Sequence, residues 1–325
     1  MAIEIGTVNA DTNVKLGLTT IQSGYVGFNQ FYNTYTSILD LYPSAYHAFS
    51  LRKLKSTYNG FCLRIRRTTT TPTVTTTTVD LSFDIYNTIS LNSRITYVSG
   101  TATTAKCLGE FCAASGFINT DGYNTCDIFV STWFDQSGNN KNVTNATLSQ
   151  QPRLVNNTGN LETSAGKVSV RFTSASVQRL VLNDTSVSLN NVSSYVVGNA
   201  ITTTLTNFFS LSDLTISRFF VPISNAISYI SAGTFTGMTI TAGVNRLYEL
   251  ICGTSTTSAY SNGTILSPSS VTSSILSNNR IRIGNAGAAG FEVYSNGYIS
   301  EAISFVGASN RTGIESNINT YYSIW

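Results

Sequence analysis

A single histidine, His47, and sixteen aspartates and glutamates are the conventional acid–base groups of this 325-residue sequence. A Ser-His-Asp or Cys-His nucleophile would have to be built on His47, whose simpler reading is a surface histidine or a hydrogen-bonded structural one. The five cysteines, Cys62, Cys107, Cys112, Cys126 and Cys252, show no CxxC or CxxH spacing, so no zinc site is expected. Their odd number argues against a complete disulfide framework; a Cys112–Cys126 pair across a loop and free buried thiols both stay open. No GxxxxGK[ST] or GxGxxG run occurs, and the glycine- and alanine-rich stretch Gly284–Gly290 lies between strands rather than before a helix, so no phosphate cradle and no cofactor are expected. Asp135, in WFDQSGNN, follows a strand. Its carboxylate suits backbone N–H groups two or three residues on, and Gly138 supplies the conformation closed to other residues. That makes it a turn-former. A hard cation there would need further oxygen ligands, and only Asp127 is near in sequence, so no metal is assigned.

These groups must be positioned by strands. Charged residues make up 11% of the chain, against roughly 25% in an ordinary domain, while the apolar fraction is 42%. Ser, Thr, Asn and Gly therefore supply the polar surface. A net charge of +3, with no basic stripe beyond Arg64, Arg66 and Arg67, predicts no nucleic-acid partner. No run of about 18 apolar residues predicts membrane insertion, and the N-terminus reads as lacking a secretory signal. Period-2 and short apolar runs predict strands at 60–67, 126–134, 168–172, 194–199, 208–211, 218–221, 226–230, 237–241, 245–252, 258–261, 280–284 and 297–305. A helical turn is expected around Pro43–Phe49. Ile314, Ile318 and Tyr321/Tyr322 predict a C-terminal helix over 311–323. The threonine tract at 68–79 reads as a solvated loop or the tip of a long hairpin. Residues 1–42, polar with spaced aromatics, read as an attachment segment, and 43–325 as one β-sandwich.

A succession of motifs carries a family resemblance. AYHAFSLRKLKSTYNGFCLRIRR at 45–67 is followed by WFDQSGNN at 133–140, QP at 151–152 and GKVSVRF at 166–172; GNAGAAG and GYISEAISFVGASN come near the end. The set resembles the laminin-G/concanavalin-like domains of bacteriophage virion proteins and, more distantly, the catalytic domain of arabinofuranosidase B. The resemblance implies an all-β jelly-roll sandwich of two antiparallel sheets, and it assigns the His47 segment to packing. In the enzyme family the nucleophile is a Glu on a central strand and the acid is an Asp in a glycine-rich loop. Here the matching loop at 283–290 holds no carboxylate; Asn285 is its nearest equivalent, and an amide is no proton donor. Glu249 and Glu292 remain as carboxylates, and nothing in their spacing marks them as a pair across a scissile bond. The expectation is therefore a non-enzymatic virion surface protein, such as a head fibre, capsid decoration or tail appendage, assembled in the host cytoplasm. Its expected partners are other virion proteins and host surface glycans, as a homo-oligomer. Tyr123, Tyr260, Asn285 and Tyr294 are the candidate sugar contacts. The alternatives are a divergent arabinofuranosidase-like glycoside hydrolase and a stand-alone carbohydrate-binding adhesin.

Overall fold

The computed structural model describes residues 36–69, 75–113, 127–183, 192–202, 207–212, 217–223, 226–229, 233–236, 240–253, 255–268, 270–272, 280–288, 291–307 and 310–325, together with four two-residue strands nearer the N-terminus. The chain divides into two compact units, Met1–Thr36 and Ser37–Trp325. In the first, Lys15–Leu16 pairs with Thr19–Thr20 and Tyr25–Val26 with Asn29–Gln30, both antiparallel.

The second unit begins with α1 (Ile38–Leu41), β1 (Ala45–Ser50), β2 (Leu63–Thr69), β3 (Thr75–Leu81), β4 (Ile95–Ser99), α2 (Leu108–Ala113), β5 (Ile128–Trp133) and β6 (Val143–Thr144). It continues through β7 (Arg153–Val155), β8 (Val170–Phe172), β9 (Leu180–Asn183), β10 (Val192–Ala200), β11 (Phe209–Ser212), β12 (Ser217–Ile223), β13 (Ala226–Tyr229) and β14 (Gly233–Phe235). It closes with β15 (Arg246–Cys252), β16 (Thr256–Ser261), β17 (Arg280–Ile283), β18 (Asn285–Ala288), β19 (Phe291–Tyr294), β20 (Gly297–Val306) and α3 (Arg311–Tyr322).

The fold is an all-β sandwich of antiparallel sheets with a short C-terminal helix. One sheet runs β16-β15-β10-β20, and the far edge of β20 is shared by β8 along its first residues and β1 along its last. The other runs β4-β3-β2-β5-β6-β9-β17-β11-β12-β13-β14, with β7 bridging β5 to β8. The main core between them holds Phe49, Ile65, Val130, Trp133, Phe172, Val196, Phe209, Tyr248 and Ile283. All nine residues of β10 are buried, because the outer face of this sheet is covered too. There Tyr195, Val197, Leu247, Ile303 and Phe305 meet Ile314, Ile318 and Tyr322 of α3. The helix forms as its spacing predicts: one apolar stripe at i, i+4 and i+8, started by the Asn310 side chain accepting the Gly313 N–H at 3.1 Å.

Three local expectations change. The stretch at Pro43–Phe49 is not helical: Ala45–Ser50 is a strand whose six residues are all buried, paired with β20. A one-turn helix, α1, precedes it instead, and its Ile38 and Leu39 join the α3 cluster, so residues 38–41 pack with the sandwich. Much of the threonine tract is ladder rather than loop, with Thr68 opposite Thr76 and Thr69 opposite Thr75; residues 70–74 lie outside the described set. Most of the expected strand at 237–241 lies outside it as well. Cys62 and Cys107 carry free thiols, and Cys126 is not among the described residues. No helix among the described residues is long and apolar enough to cross a membrane.

Candidate functional site

The glycine-rich stretch after β17 turns the chain into the β18–β19 hairpin, and Gly284 makes that turn possible. Its φ is +83°, and a Cβ there would lie 2.1 Å from the Phe172 ring. The turn is fastened by Gly284 N–H to the Phe208 carbonyl (2.9 Å) and Ser295 N–H to the Gly284 carbonyl (2.8 Å). Across the hairpin, Asn285 stands directly opposite Tyr294. On the other side, β11 pairs with β17 through Phe209–Ile283 and Ser210–Arg282. Asn207 and Asn285 are the chain neighbours of the two residues, Phe208 and Gly284, that the Gly284 N–H bond joins.

Both carboxamides are fully buried, and neither the oxygen nor the nitrogen of either has a hydrogen-bond partner among the described residues. Each buried polar group left unpaired costs about 1–3 kcal/mol, so two amides in this state at one turn mark a place where hydrogen-bonding capacity is held in reserve. Beside them lies a charged cluster. The Tyr294 hydroxyl donates to the Glu292 carboxylate and accepts from Arg179 Nη1 at 2.7 Å. Arg179 also reaches Glu292 at 3.3 Å, and Arg282 Nη1 reaches its other oxygen at 3.1 Å. Burial alone would raise the Glu292 pKa, but the Tyr294 hydrogen bond and the Arg179 and Arg282 charges hold it below the ordinary carboxylate range. Glu292 is ionised. Burial, then the bond to Glu292, push the Tyr294 hydroxyl upward.

His47 occupies the sandwich interior, stacked on Phe49 (centroids 5.3 Å apart) and tilted against Phe209 (5.4 Å). It is neither at the surface nor satisfied: it is fully buried, and neither ring nitrogen has a partner among the described residues. Burial, then the nearby Lys141 charge, lower its pKa to about 3, so the ring is neutral near pH 7.

The sugar-contact candidates thus separate. Asn285 and Tyr294 come together; Tyr260 instead lies on β16, opposite Glu249 and 4.1 Å from the Arg311 guanidinium. Tyr123 lies outside the described residues. Sequence reasoning missed Asn207, Arg179 and Arg282. Nothing in their local sequence marks them, since only the β17 pairings bring them to the hairpin.

Glu249 and Glu292 contact no common residue. Glu249 is buried beneath α3, accepts the Gly263 N–H at 3.2 Å and lies 3.8 Å from Arg311 Nη1, which also pairs with Glu315. Burial raises its pKa from 4.5 to about 7, a shift that the Gly263 bond and the Arg311 charge reduce but do not cancel. Between pH 4.5 and 7 the folded chain therefore holds more protons than the unfolded one, so stability falls as pH rises through this window and levels off above it. The loss traceable to Glu249 is on the order of 3 kcal/mol. Urea unfolding from pH 4.5 to 8 should show this decline in the parent chain and a flatter profile in Glu249→Gln; matching profiles would exclude Glu249 as its source.

No family model and no curated protein matches the chain. Among solved structures it is similar to an arabinofuranosidase complexed with arabinofuranosyl-α-1,2-xylobiose, at 14% identity and a TM-score of 0.51, over 87% of this chain and 64% of that one. It is also similar to a GH54 α-L-arabinofuranosidase soaked with a cyclic sulfate inhibitor (14%, TM-score 0.47, 86% and 64%) and to a Trypanosoma rangeli sialidase (10%, TM-score 0.41, 76% and 43%). What is shared is the fold. The chain spans about two thirds of the first arabinofuranosidase's length. These findings correct the expectation of a non-enzymatic virion surface protein. The sandwich fold is one also found in an arabinofuranosidase, and nothing in the comparisons supports a head fibre, capsid decoration or tail appendage. That expectation rested on the lack of an acid in the glycine-rich loop itself. The loop's return strand brings Glu292 and Tyr294 to the same place.

Proposed function

We propose that the chain is a carbohydrate-active β-sandwich, a divergent glycoside hydrolase working at the Asn285–Tyr294 hairpin. The observation that carries this reading is the unpartnered carboxamide of Asn285, opposite Tyr294 across the hairpin, with that of Asn207 at the same turn and an ionised Glu292 hydrogen-bonded by Tyr294. A carboxamide offers donors and an acceptor together, which matches the hydroxyls of a sugar ring. Glu292 is placed to take the Tyr294 proton as the phenolic oxygen bonds to the anomeric carbon, the arrangement used where tyrosine replaces a carboxylate nucleophile. The bond from that carbon to the leaving oxygen breaks as this one forms, an aryl group departing as its phenolate. Water then displaces the tyrosine, which recovers its proton from Glu292 while the water's proton goes to solvent. Arg179, on the same oxygen, offsets the developing negative charge. The arabinofuranosidase-like fold supports a glycosidic substrate and makes arabinofuranosyl linkages the first to try.

The purified chain is expected to release 4-nitrophenol from one or more members of a panel of neutral and acidic aryl glycosides, beginning with the α-L-arabinofuranoside. Glu292→Gln and Tyr294→Phe should each lower kcat/KM by about a hundredfold, or ~2.7 kcal/mol, with unfolding midpoints kept. A folded chain that cleaves no member of the panel would overturn the proposal.

A further inference from the structure

Two guanidinium groups, Arg179 and Arg282, share the Glu292 carboxylate at this hairpin, and the charge of a third, Arg280, acts on Arg282. Arg280 and Arg282 lie two residues apart on β17 and so share a face; Arg179 immediately precedes β9, the neighbour of β17. Glu292 is the one carboxylate ion-paired with any of them among the described residues. Arg282 shows the imbalance. Burial lowers its pKa, the hydrogen bond and charge of Glu292 raise it, and the charges of Arg280 and Arg179 lower it again. Its side chain is 9% exposed, and its Nε has no acceptor among the described residues. A buried guanidinium N–H with no acceptor, facing two like charges, is best completed by an anion, because a charged acceptor both fills the empty hydrogen bond and offsets the repulsion. A neutral hydroxyl would do only the first.

We propose that the glycan taken by this site carries an anionic substituent, a uronate carboxylate or an ester sulfate, lodged against Arg282 between Arg179 and Arg280. This rests on the glycan site proposed above and names its substrate class. The amides Asn207 and Asn285 would hold the sugar's hydroxyls while the arginines read its charge, so the two kinds of contact can be tested apart.

Isothermal titration calorimetry with trigalacturonate, its methyl ester, galactose 6-sulfate and arabinotriose separates the outcomes, the ester keeping the shape of the acid and removing its charge. Trigalacturonate or the sulfated sugar is expected to bind about tenfold or more tighter than its uncharged counterpart. The advantage should shrink as salt rises from about 0.05 to about 0.5 M. Arg282→Met should bring acid and ester to one affinity, and Arg280→Gln, at a less buried position, should do so in part if the first variant folds poorly. Preference for the sulfated sugar alone supports the proposal and fixes the anion. Equal affinity for acid and ester, together with no advantage of the sulfated sugar over arabinotriose, overturns it while leaving the glycan site standing, and a folded chain that binds none of the four overturns both.

Discussion

Replacing Glu301 with alanine is expected to destabilise the sandwich by about 3–5 kcal/mol, the range for stripping one partner from a buried ion pair. Glu301 sits in β20 with no exposure, and Arg52 is 4% exposed. The pairing is two-pronged: Arg52 Nε to Oε2 at 2.8 Å and Nη2 to Oε1 at 2.9 Å. Ser50 Oγ, at the end of β1, adds a bond to Oε2 at 2.7 Å, and the Tyr322 hydroxyl of α3 adds another at 3.2 Å. One carboxylate therefore ties an edge strand, a central strand and the covering helix. With alanine, the guanidinium keeps Asn317 Oδ1 at 3.0 Å and the face of the Tyr321 ring at 4.8 Å, neither of which carries a compensating charge. In thermal unfolding this corresponds to a loss of roughly 4–7 °C for a chain of this size. Because the cost lies in the stranded charge, the double replacement Arg52→Met with Glu301→Leu should recover most of the stability. A Glu301→Ala midpoint within about 1 kcal/mol of the parent would show that the network is not holding the three elements.

Which parts of this molecule can be read from its sequence follows from how local the cause is. The C-terminal helix is legible because Ile314, Ile318 and Tyr322 repeat within one segment. The Asp135 turn is legible because its partners Ser137 and Lys141 lie within six residues. Ala45–Ser50 misleads: AYHAFS follows a proline and mixes apolar with small residues, and what makes it a strand is β20, some 250 residues later. The site divides the same way. Asn285 is marked by its glycine-rich surroundings, whereas Asn207 sits unremarkably in TNFFSLS and acquires meaning only from the β11–β17 register. Arg179 and Glu292 are 113 positions apart, so their pairing leaves no spacing to detect. The solitary histidine drew attention by rarity, yet burial removes it from acid–base work near neutral pH.

Asp135→Ala should cost about 3–4 kcal/mol of stability and leave glycan cleavage intact below the unfolding transition. The side chain does more than shape its own turn. Oδ1 accepts the Ser137 N–H at 2.9 Å and also the Ala48 N–H, 87 residues earlier, at 2.8 Å; Oδ2 accepts Ser137 Oγ at 2.7 Å and the Lys141 N–H at 3.0 Å. Its neighbours in the motif continue the clamp. Gln136 accepts the Leu54 N–H and donates to the Ser50 and Arg52 carbonyls, while the Asn139 amide donates to those of Ala45 and Tyr46. Alanine would take this acceptor from the Ala48, Ser137 and Lys141 N–H groups where β1 is fastened to the turn after β5. Asn should cost about half as much, since its oxygen still serves Ala48 while its NH2 group confronts the Lys141 N–H. Urea denaturation of the two variants, with aryl-glycoside turnover assayed alongside, tests both halves. A stable Asp135→Ala chain would remove the clamp, and a stable but inactive one would move the chemistry to this turn. The expected pattern, unstable yet active, assigns the most conspicuous carboxylate in the sequence to fastening β1 and leaves the proposed bond cleavage to Tyr294 and Glu292.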